Sequence, residues 1–408
     1  MMKILRYLAL WLVSVLLPAV VLFGFNLPVS EVNLRLSMVL AVVCSTGAFY
    51  SAHSLSRFPG NRSWATLLPV VVAWYGCASL LLLLFRWPYS VSYLAFSFVF
   101  CALFIHFDHW YFETRKVLAL AFVPVGRAEH AERIPHANWT RLDRPEDLSS
   151  MNVDAVVADL HAPALTTEWQ KFLANCTLQH IPVYNLRQVE ESLTGRVRIR
   201  HMYENDLGSL LPSASYMVIK YLLEVALIVL SLPITLPLMV VTALLIKLGD
   251  GGSVFFNQTR VGYRGKPFTM YKFRSMTESK AANTQQTTTV NDARVTAVGR
   301  VIRKLRIDEL PQFLNVMKGE MSLIGPRAEF KKFADELEQQ VPFYQYRHIV
   351  KPGITGWAQV THGYATGADE TQIKIEHDFY YIKNFSFGLD FLIVFKTIYT
   401  MLTGFGAR

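Results

Sequence analysis

The sequence predicts a membrane protein composed of a four-helix transmembrane bundle, a cytoplasmic α/β module and an α/β monotopic domain that carries a re-entrant membrane hairpin. Three observations support this class: four apolar runs in the first third, alternating strand and helix patterns after them, and a later apolar segment interrupted by prolines. The composition agrees, because the chain is 52% hydrophobic and 17% charged, whereas an average soluble protein is about 25% charged.

The four apolar runs form the predicted bundle, which occupies residues 1–116. They lie near residues 4–25, 34–52, 66–85 and 91–112. Each run has about 20 residues, enough for a helix to cross the hydrocarbon core of a bilayer. Basic residues such as Lys3, Arg62 and Arg115 lie before the first run, between the second and third, and after the fourth. Because basic loops stay on the cytoplasmic side, both ends of the bundle are predicted to be cytoplasmic.

Polar residues end the fourth run. His106, Asp108 and His109 are interpreted as an interfacial cap, and a buried ion path is the alternative. The net charge of +9 on so apolar a chain favours anionic lipids or phosphorylated substrates as partners and argues against nucleic acid.

Segment 117–190 is predicted to be a degenerate Rossmann-like cytoplasmic module. Strands are predicted at 117–126, 153–160 and 181–186, with a helix between the last two. Such alternation predicts a parallel sheet. Gly126 stands where a dinucleotide fold would carry a GxGxxG turn, but the sequence reads VGRAEHAE. A structural or regulatory role is therefore favoured over nucleotide binding. Residues 191–215 are interpreted as a linker.

A further apolar segment is predicted to be a re-entrant helix at 216–248. As a straight helix its apolar part would reach about 40 Å, so length alone permits crossing. However, Pro233 and Pro237 lie in the middle, where each removes a helix hydrogen bond and clashes with the preceding turn. We therefore expect a helix–break–helix hairpin that returns to the same membrane face, with Ser231 satisfying carbonyls freed at the break. A kinked fifth span is the alternative.

Basic residues alternate on a strand predicted after the hairpin. Within SVFFNQTRVGYRGKPFTMYKFRSM (253–276), YRGK predicts a turn between two strands. Period-2 alternation places Lys272 and Arg274 on one strand face. With Arg260 and Arg264 nearby, these cations form a candidate cradle for a diphosphate, and a solvated edge strand is the alternative. The polar segment TESKAANTQQTTTVNDA that follows is interpreted as a mobile loop and a candidate lid.

A helix is predicted next, within VTAVGRVIRKLR. Helical spacing predicts a buried stripe of Val295, Val298, Ile302 and Leu305. The opposite face exposes Arg300, Arg303 and Lys304.

Two adjacent acids, Asp308 and Glu309, follow this helix. Asp308 is predicted to cap a second helix that has Pro311 in its first turn and ends at Gly319. At a positive helix end its carboxylate would stay ionised close to bound phosphate, which unpaired N–H groups also hold. From this stretch alone, a capping aspartate beside a surface glutamate is the simpler interpretation.

The motifs of the C-terminal half occur together in one order. After the proline-containing hairpin come ALLIKL, YKFRSM, LRIDELPQFLNVMKGEMSLIGPR, KPGITGWAQV and DFYYIKNFSFGLD. On these motifs, the block 216–408 resembles the bacterial sugar transferases of the monotopic phosphoglycosyl transferase superfamily. Those enzymes move a phospho-sugar from a nucleotide diphosphate sugar to polyprenyl phosphate. The four spans and the α/β module resemble the amino-terminal extension of the large members.

The resemblance implies roles for individual residues. Asp308 matches the nucleophile, which forms an aspartyl-phosphosugar intermediate, and it is also the implied ligand of Mg²⁺. Glu309 completes the acid pair and either assists the second step or organises Mg²⁺. The implied substrate-binding residues are Arg303, Lys272, Arg274, Arg260, Arg327, Lys351 and Gln359. Pro237, with Pro233 close to it, matches the hairpin break.

The chain departs from the family pattern in three places. Ala328 follows Arg327 where the family has the second proline of Pro-Arg-Pro. KYLLE replaces a Lys-Arg-x-x-Asp opening of the hairpin, so that Glu224 takes the place of the aspartate. WAQVTHG replaces Trp-Ala-Gln-Val-Asn-Gly, which changes the polar groups at Thr361 and His362.

The resemblance implies transfer of a phospho-sugar from a UDP-sugar to undecaprenyl phosphate with release of UMP, the first committed step of capsule, O-antigen or exopolysaccharide synthesis. It implies Mg²⁺ as cofactor and a multi-pass protein of the bacterial inner membrane whose catalytic domain is cytoplasmic. It also favours the hairpin over a fifth span, because nucleotide sugars are cytoplasmic. The alternatives are a membrane glycosyltransferase that releases UDP and a non-catalytic scaffold. The sugar and the oligomeric state stay open, a homodimer being one option.

Overall fold

The computed structural model describes residues 2–24, 31–55, 58, 67–112, 118–145, 153–199, 211–277, 294–362 and 368–403. The chain divides into two compact units, Met1–Gly195 and Arg196–Arg408. Their boundary falls inside the segment predicted to be a linker, 191–215. The candidate lid at 277–293 lies, except for Thr277, outside the described residues.

The first unit begins with apolar helices. They are α1 (Met2–Trp11), a π-helical turn (Leu12–Leu16), α2 (Leu17–Phe23), α3 (Val32–Leu55), α4 (Leu67–Phe85) and α5 (Val91–Phe112). Within the described residues, five stretches are long and apolar enough to cross a membrane: Ile4–Phe23, Val32–Leu55, Leu67–Phe85, Val91–Phe112 and Ala214–Gly249. The first four match the predicted runs. Large apolar side chains such as Leu84 and Ile4 are exposed on them, as expected of a surface that faces lipid.

A buried ion pair joins three of these helices at one end. Arg6 in α1 donates to both carboxylate oxygens of Asp108 in α5, through Nε at 2.8 Å. It also donates to His53 Nε2 in α3 at 2.6 Å. Asp108 is 3% exposed, and Arg6 neutralises its carboxylate where the helix ends meet; the predicted interfacial position of Asp108 stays a prediction. The start of α1 and the ends of α3 and α5 therefore meet.

The rest of the first unit is a parallel sheet with helices. Its elements are β1 (Leu118–Phe122), a 3-10 helix (Gly126–Arg133), β2 (Ala137–Arg141), β3 (Ala155–Ala158), α6 (Thr167–Leu178), β4 (Val183–Asn185) and α7 (Leu186–Thr194). The strand order is β2-β1-β3-β4, and every pairing is parallel. The three predicted strands, the helix between the last two and the parallel sheet are confirmed. Strand β2 was not predicted, because its sequence ANWTR has no apolar run.

A carboxylate lies where dinucleotide folds hold phosphate. That place is at the carboxyl ends of β1 and β3, where the strand order changes direction. Gly126 has φ +62° there, and Asp159 accepts hydrogen bonds from the backbone N–H groups of Arg127 at 3.1 Å and His161 at 3.3 Å. Asp159 thus occupies donors that would otherwise face an anion, which supports the structural or regulatory interpretation of the module.

The second unit contains one long helix, α8 (Ala214–Asp250). Helical backbone continues through Pro233 and Pro237, so the predicted interruption of the helix is not present. Ser231 Oγ donates to the carbonyl of Ile228 at 2.8 Å. Pro233 and Pro237, however, leave the carbonyls of Val229 and Pro233 without their helical N–H donors. The hydrogen bond of Ser231 therefore does not fill the role predicted for it.

Both halves of α8 pack against the same unit. Before the prolines, Ile228 is 1% exposed and lies in an apolar cluster with Met270. After the prolines, Ile246 is 5% exposed and lies in a cluster with Phe273. The helix is therefore attached to the second unit on both sides of its prolines.

The other elements of the second unit form short sheets and helices. They are β5 (Phe255–Val261), a 3-10 turn (Tyr263–Gly265), β6 (Pro267–Phe273), α9 (Ala297–Lys304), a 3-10 turn (Ile307–Gln312), α10 (Phe313–Met317), β7 (Ser322–Ile324), α11 (Lys331–Gln340), a 3-10 turn (Tyr344–Ile349), β8 (Gly353–Thr355), α12 (Trp357–Thr361), α13 (Ala368–Lys383) and α14 (Phe387–Thr403). Strands β5 and β6 are antiparallel around YRGK, as predicted. Leu305 is 54% exposed, so its predicted burial is wrong, because α9 ends at Lys304.

The last helix has one buried and one exposed face. Leu392 and Ile393 in α14 are fully buried, whereas Val394 and Ile398, on the opposite side, are exposed. Both faces carry apolar side chains, so the exposed face presents an apolar surface. Lys396 Nζ lies 5.2 Å from the centre of the Trp357 ring.

Candidate active site

The acid pair lies against the basic strand β6. Lys272 Nζ, near the end of β6, is 3.1 Å from Glu309 Oε1 in the turn Ile307–Gln312. The two residues are far apart in sequence, and the antiparallel hairpin brings the strand to the turn. Burial lowers the pKa of Lys272, while Glu309 opposes that shift. The predicted basic strand and the predicted acids therefore form one site.

Asn315 holds the turn against the strand. Its side-chain amide donates to the carbonyl of Thr269 at 2.7 Å and accepts from the backbone N–H of Tyr271 at 3.1 Å. Both partners belong to β6, so these bonds fix the position of the acid pair along the strand. Pro311 lies in the turn and Gly319 has φ +76° beyond α10, as the sequence predicted for the ends of this segment.

Asp308 lies inside the turn rather than at its cap. Arg306 occupies the N-cap position with φ +58°, and the turn begins at Ile307. The predicted N-cap role of Asp308 is therefore wrong, since the turn starts earlier than the sequence indicated. Asp308 Oδ1 is buried and has no hydrogen-bond partner in the part of the chain that the structure describes. Burial, and then repulsion from Glu309, raises the pKa of Asp308 to about 6.

Three cations surround the neighbouring acid. Glu309 Oε1 is 3.1 Å from Lys272 Nζ, 3.5 Å from Arg306 Nη1 and 3.9 Å from Arg327 Nη1. Burial alone would raise the pKa of Glu309, but these cations hold it below its usual value. Glu309 is thus the ion-paired carboxylate, and it gathers three cations beside Asp308, whose Oδ1 stays unpaired.

Arg327 is positioned by a close approach of two motifs. SLIGPR contains β7 and KPGITGW contains β8, and the strands pair in parallel. The N–H of Gly325 donates to the carbonyl of Thr355 at 2.8 Å, and that of Gly353 to the carbonyl of Pro326 at 2.9 Å. A methyl group on Gly353 would overlap the backbone nitrogen of Gly325. Both motifs therefore need glycine for backbone contact, and this contact orients the chain at Arg327.

Arg303 and Arg260 lie within electrostatic reach of the acid pair. Arg303 acts to lower the pKa of Asp308. Arg260 is 6% exposed, and its Nη1 donates to the carbonyl of Ala328 at 2.9 Å. Burial lowers the pKa of Arg260 to about 10, and Glu309 opposes that shift. Arg260 thus holds the turn in which alanine replaces the second proline of the family pattern.

Three other predicted binding residues contact other elements. Arg274 follows the end of β6, and its guanidinium lies against the backbone just beyond α8. Lys351 Nζ is 4.1 Å from the centre of the Tyr221 ring in α8. Gln359 in α12 donates through Nε2 to the carbonyl of Ile354 at 3.3 Å.

Two arginines of the site were not singled out for it. Arg306 pairs with Glu309, and its position inside LRIDEL was the signal that could have identified it. Arg347 is 3% exposed and donates to the carbonyl of Arg327 at 2.9 Å and to Asp378 at 2.8 Å. Arg347 thus holds the backbone at Arg327 through this hydrogen bond. No local pattern in YQYRHI indicates such a contact.

The acids can be tested for their fit to Mg²⁺. Within the described residues, no group of three or more His, Cys, Asp or Glu side chains could hold a metal ion. Mg²⁺ at phosphate sites commonly takes only one or two carboxylates together with substrate phosphates and water. Glu309 Oε1 is already shared by three cations, whereas Asp308 Oδ1 is unpartnered. Asp308 therefore fits a Mg²⁺ ion that is held mainly by a bound diphosphate.

Comparison with known proteins identifies the family. Residues 215–404 match the profile described as bacterial sugar transferase. Over 355 residues the chain is 52% identical to a UDP-N-acetylgalactosamine-undecaprenyl-phosphate N-acetylgalactosaminephosphotransferase of Aeromonas hydrophila, covering 86% of this chain and 83% of that protein. The chain belongs to the bacterial sugar transferase family. The resemblance stated on the sequence motifs is confirmed.

Two other relatives match less than half of this chain. A UDP-glucose:undecaprenyl-phosphate glucose-1-phosphate transferase of Escherichia coli is 40% identical over 178 residues, which are 43% of this chain and 38% of that protein. An uncharacterised sugar transferase of Bacillus subtilis is 40% identical over 192 residues, 47% of this chain and 91% of that protein.

Proposed function

We propose that this bacterial sugar transferase moves a sugar phosphate from a UDP-sugar to undecaprenyl phosphate and releases UMP. One observation carries the proposal: Asp308 has a buried, unpartnered carboxylate oxygen beside three cations gathered by Glu309. An unpaired anionic oxygen is an available nucleophile, and clustered cations stabilise the charge of a phosphoryl group under attack. The names of the relatives support the same substrates.

The reaction proceeds in two displacements at phosphorus. Asp308 attacks the phosphorus that carries the sugar, an Asp–phosphate bond forms, and the phosphoanhydride bond breaks so that UMP leaves with the bonding electrons. A phosphate oxygen of undecaprenyl phosphate then attacks the same phosphorus. The new phosphoanhydride bond forms, and the Asp308 carboxylate leaves unchanged. The covalent intermediate divides an exchange between two bulky anions into two simpler steps.

The cations around Glu309 bind and orient the donor. Lys272, Arg306 and Arg327 neutralise the diphosphate and the departing UMP. Asp308 is the residue that would hold a Mg²⁺ ion, and the ion would supply further charge neutralisation to the diphosphate. Glu309 keeps the cations in place throughout, because its own pKa is held low.

Helix α8 fits a re-entrant course in the cytoplasmic face of the inner membrane. A straight helix would separate Ile228 and Ile246 by about 27 Å, whereas their cluster partners Met270 and Phe273 lie about 10 Å apart on one strand. A bend at the prolines reconciles these distances. The bundle fits four spans with cytoplasmic ends, since Arg6 and Asp108 meet at the end that carries the basic flanks.

The first donor to test is UDP-N-acetylgalactosamine. The relative that aligns over both halves of the chain is named for that donor, whereas the relative from E. coli, named for UDP-glucose, aligns over 43% of the chain. The product would begin synthesis of a surface polysaccharide such as capsule, O-antigen or exopolysaccharide.

Substitution of the nucleophile tests the proposal. We expect Asp308→Asn to abolish UMP release from UDP-N-acetylgalactosamine in membranes that contain undecaprenyl phosphate, because an amide is a poor nucleophile. Insertion into the membrane should be unchanged, as measured by fractionation. A matched control is Asp335→Asn, a change at an exposed carboxylate of α11 paired only with Lys331, which should retain full turnover.

The alternatives predict different products. A glycosyltransferase that moves the sugar alone would release UDP, and a scaffold would release neither nucleotide. Unchanged turnover in Asp308→Asn would remove the nucleophile assignment. A phosphorylated sugar trapped on the wild-type chain before the lipid is added, and absent from the variant, is the direct positive result.

A further inference from the structure

Two buried polar atoms occur on helix α12 and its C-cap. Gln359 Oε1 and His362 Nε2 are both buried, and neither has a hydrogen-bond partner among the described residues. Gln359 lies in α12, and His362 caps it three residues later with helical backbone angles, so their side chains leave the helix on one side. A buried polar atom without a partner costs about 1–3 kcal/mol. Two of them on one face mark a place where a ligand supplies the missing hydrogen bonds.

The chemistry of this pair suits an uncharged polar group. Gln359 Nε2 donates to the carbonyl of Ile354, which leaves Oε1 as an acceptor. The His362 ring stacks on His377, with ring centres 5.8 Å apart and planes 18° apart. Burial lowers the pKa of His377 to about 4, so this neighbour is neutral at pH 7. A phosphate-binding site contains cationic side chains. An amide oxygen and an imidazole instead form hydrogen bonds with hydroxyl or acylamino groups.

The pair adjoins the turn that leads to the acid pair. Gln359 Oε1 lies 3.3 Å from the position that a methyl group on Gly356 would occupy, and the carbonyl oxygen of Gly325 borders the same position. Gly325 begins the short turn to Arg327, whose Nη1 is 3.9 Å from Glu309 Oε1. A single backbone turn therefore connects the surroundings of Gln359 Oε1 with the cations of the candidate active site.

We propose that Gln359 and His362 bind the sugar of the nucleotide-sugar donor through its hydroxyl or acylamino groups. This assignment rests on the proposed function, in which the sugar is bonded to the phosphorus that Asp308 attacks. His362 belongs to the segment in which this chain has Thr-His instead of the Asn-Gly of the family motif. His362 thus adds a polar atom that the phosphoryl transfer common to the family does not require. A polar atom that hydrogen-bonds to the sugar makes the enzyme discriminate between donor sugars.

Kinetics of UMP release from full-length protein in membranes test this assignment. His362→Phe keeps a stacked ring and removes the nitrogen. We expect the KM for UDP-N-acetylgalactosamine to rise about tenfold, equivalent to about 1.4 kcal/mol, with kcat changed less than about twofold, because uniform binding is lost. Inhibition by UMP, which lacks the sugar, should be unchanged. His362→Gln, which retains a side-chain nitrogen, should recover most of the affinity.

The neighbouring residue provides the matched control. Thr361 Oγ1 donates to the carbonyl of Trp357 within its own helix, so Thr361→Ala should leave KM unchanged. An unchanged KM in His362→Phe would overturn the proposal. Weaker inhibition by UMP in parallel with the KM change would also overturn it, since the residue would then contact the nucleotide. If the wild-type chain released no UMP from any UDP-sugar, the proposed function itself would fail instead.

Discussion

At the scale of single residues, two adjacent carboxylates acquire opposite properties from their surroundings. Burial acts on both, but the three nearest cations all pair with Glu309. The pKa of Glu309 is therefore lowered, while that of Asp308 is raised to about 6. The sequence identified both acids and the cations Lys272 and Arg327. It did not indicate which acid would take the cations, because those contacts depend on how β6 and the turn after β7 meet.

We predict an acidic limit to activity that reflects Asp308. Its raised pKa means that the carboxylate is ionised above about pH 6 and is protonated as the pH falls through that value. A protonated carboxyl is not a nucleophile, so kcat/KM for UMP release should fall below about pH 6 by about tenfold per pH unit. A profile that is flat between about pH 4.5 and 7 would contradict this.

Glu309→Gln should move this limit in a defined direction. Repulsion from Glu309 contributes to the raised pKa of Asp308, so removal of its charge should shift the acidic limb to lower pH. Overall turnover should fall as well, because the cations lose the anion that positions them. The pH profile separates the two effects, and a limb that moves to higher pH would refute the electrostatic account.

At the scale of elements, the approach of β7 to β8 depends on glycine. We predict that Gly353→Ala destabilises the protein by about 3 kcal/mol, because the added methyl group would overlap the backbone of Gly325. The matched control is Gly249→Ala in α8, where nothing lies within 4 Å of the added group. There alanine should be neutral or stabilise the helix by about 0.5–1 kcal/mol. Thermal unfolding of the purified variants in detergent measures both effects. Equal unfolding midpoints for Gly353→Ala and Gly249→Ala would contradict the prediction.

Helix α8 provides a second test at this scale. In a cysteine-free background, Ser215→Cys places a label at an exposed position in the first turn of the helix, and Ser253→Cys places one at an exposed position after the helix. If α8 is re-entrant, both cysteines should be labelled from the cytoplasmic side only. If α8 is a fifth span, one cysteine should be labelled from the cytoplasmic side and the other from outside. Pro88→Cys, in the exposed connection between α4 and α5, is the control that should react from outside.

At the scale of the whole molecule, the second unit begins before its long helix. Val197 and Ile199 are 0% and 5% exposed, and the N–H of Ile199 donates to Glu376 Oε1 at 3.2 Å. Arg198 Nη1 is 3.6 Å from Glu376 Oε2. The prediction that 191–215 is a linker is therefore wrong for residues 197–199, which contribute buried side chains to the second unit.

We therefore predict that the starting residue of an isolated catalytic unit affects its stability. A fragment 196–408 should be more stable than a fragment 211–408 by about 3 kcal/mol, because the shorter one loses two buried apolar side chains and the partners of Glu376. Unfolding midpoints in detergent measure the difference. Glu376→Gln removes the buried charge, so it should reduce the difference in stability between the two fragments. Equal unfolding midpoints for the two fragments would show that 196–199 is not part of the unit.

Hydropathy and motif spacing are local properties, so they were enough to predict the apolar helices, the order of the C-terminal motifs and the identity of the acids. The alternation of strands and helices also predicted the parallel sheet. Three features became visible only in the folded chain: Asp108 is buried by Arg6, Leu305 is exposed, and Asp308 rather than Glu309 has the unpaired oxygen. Each of these depends on partners distant in sequence, and hydrogen bonds, charge neutralisation and burial are fixed only when the packed elements bring those partners together.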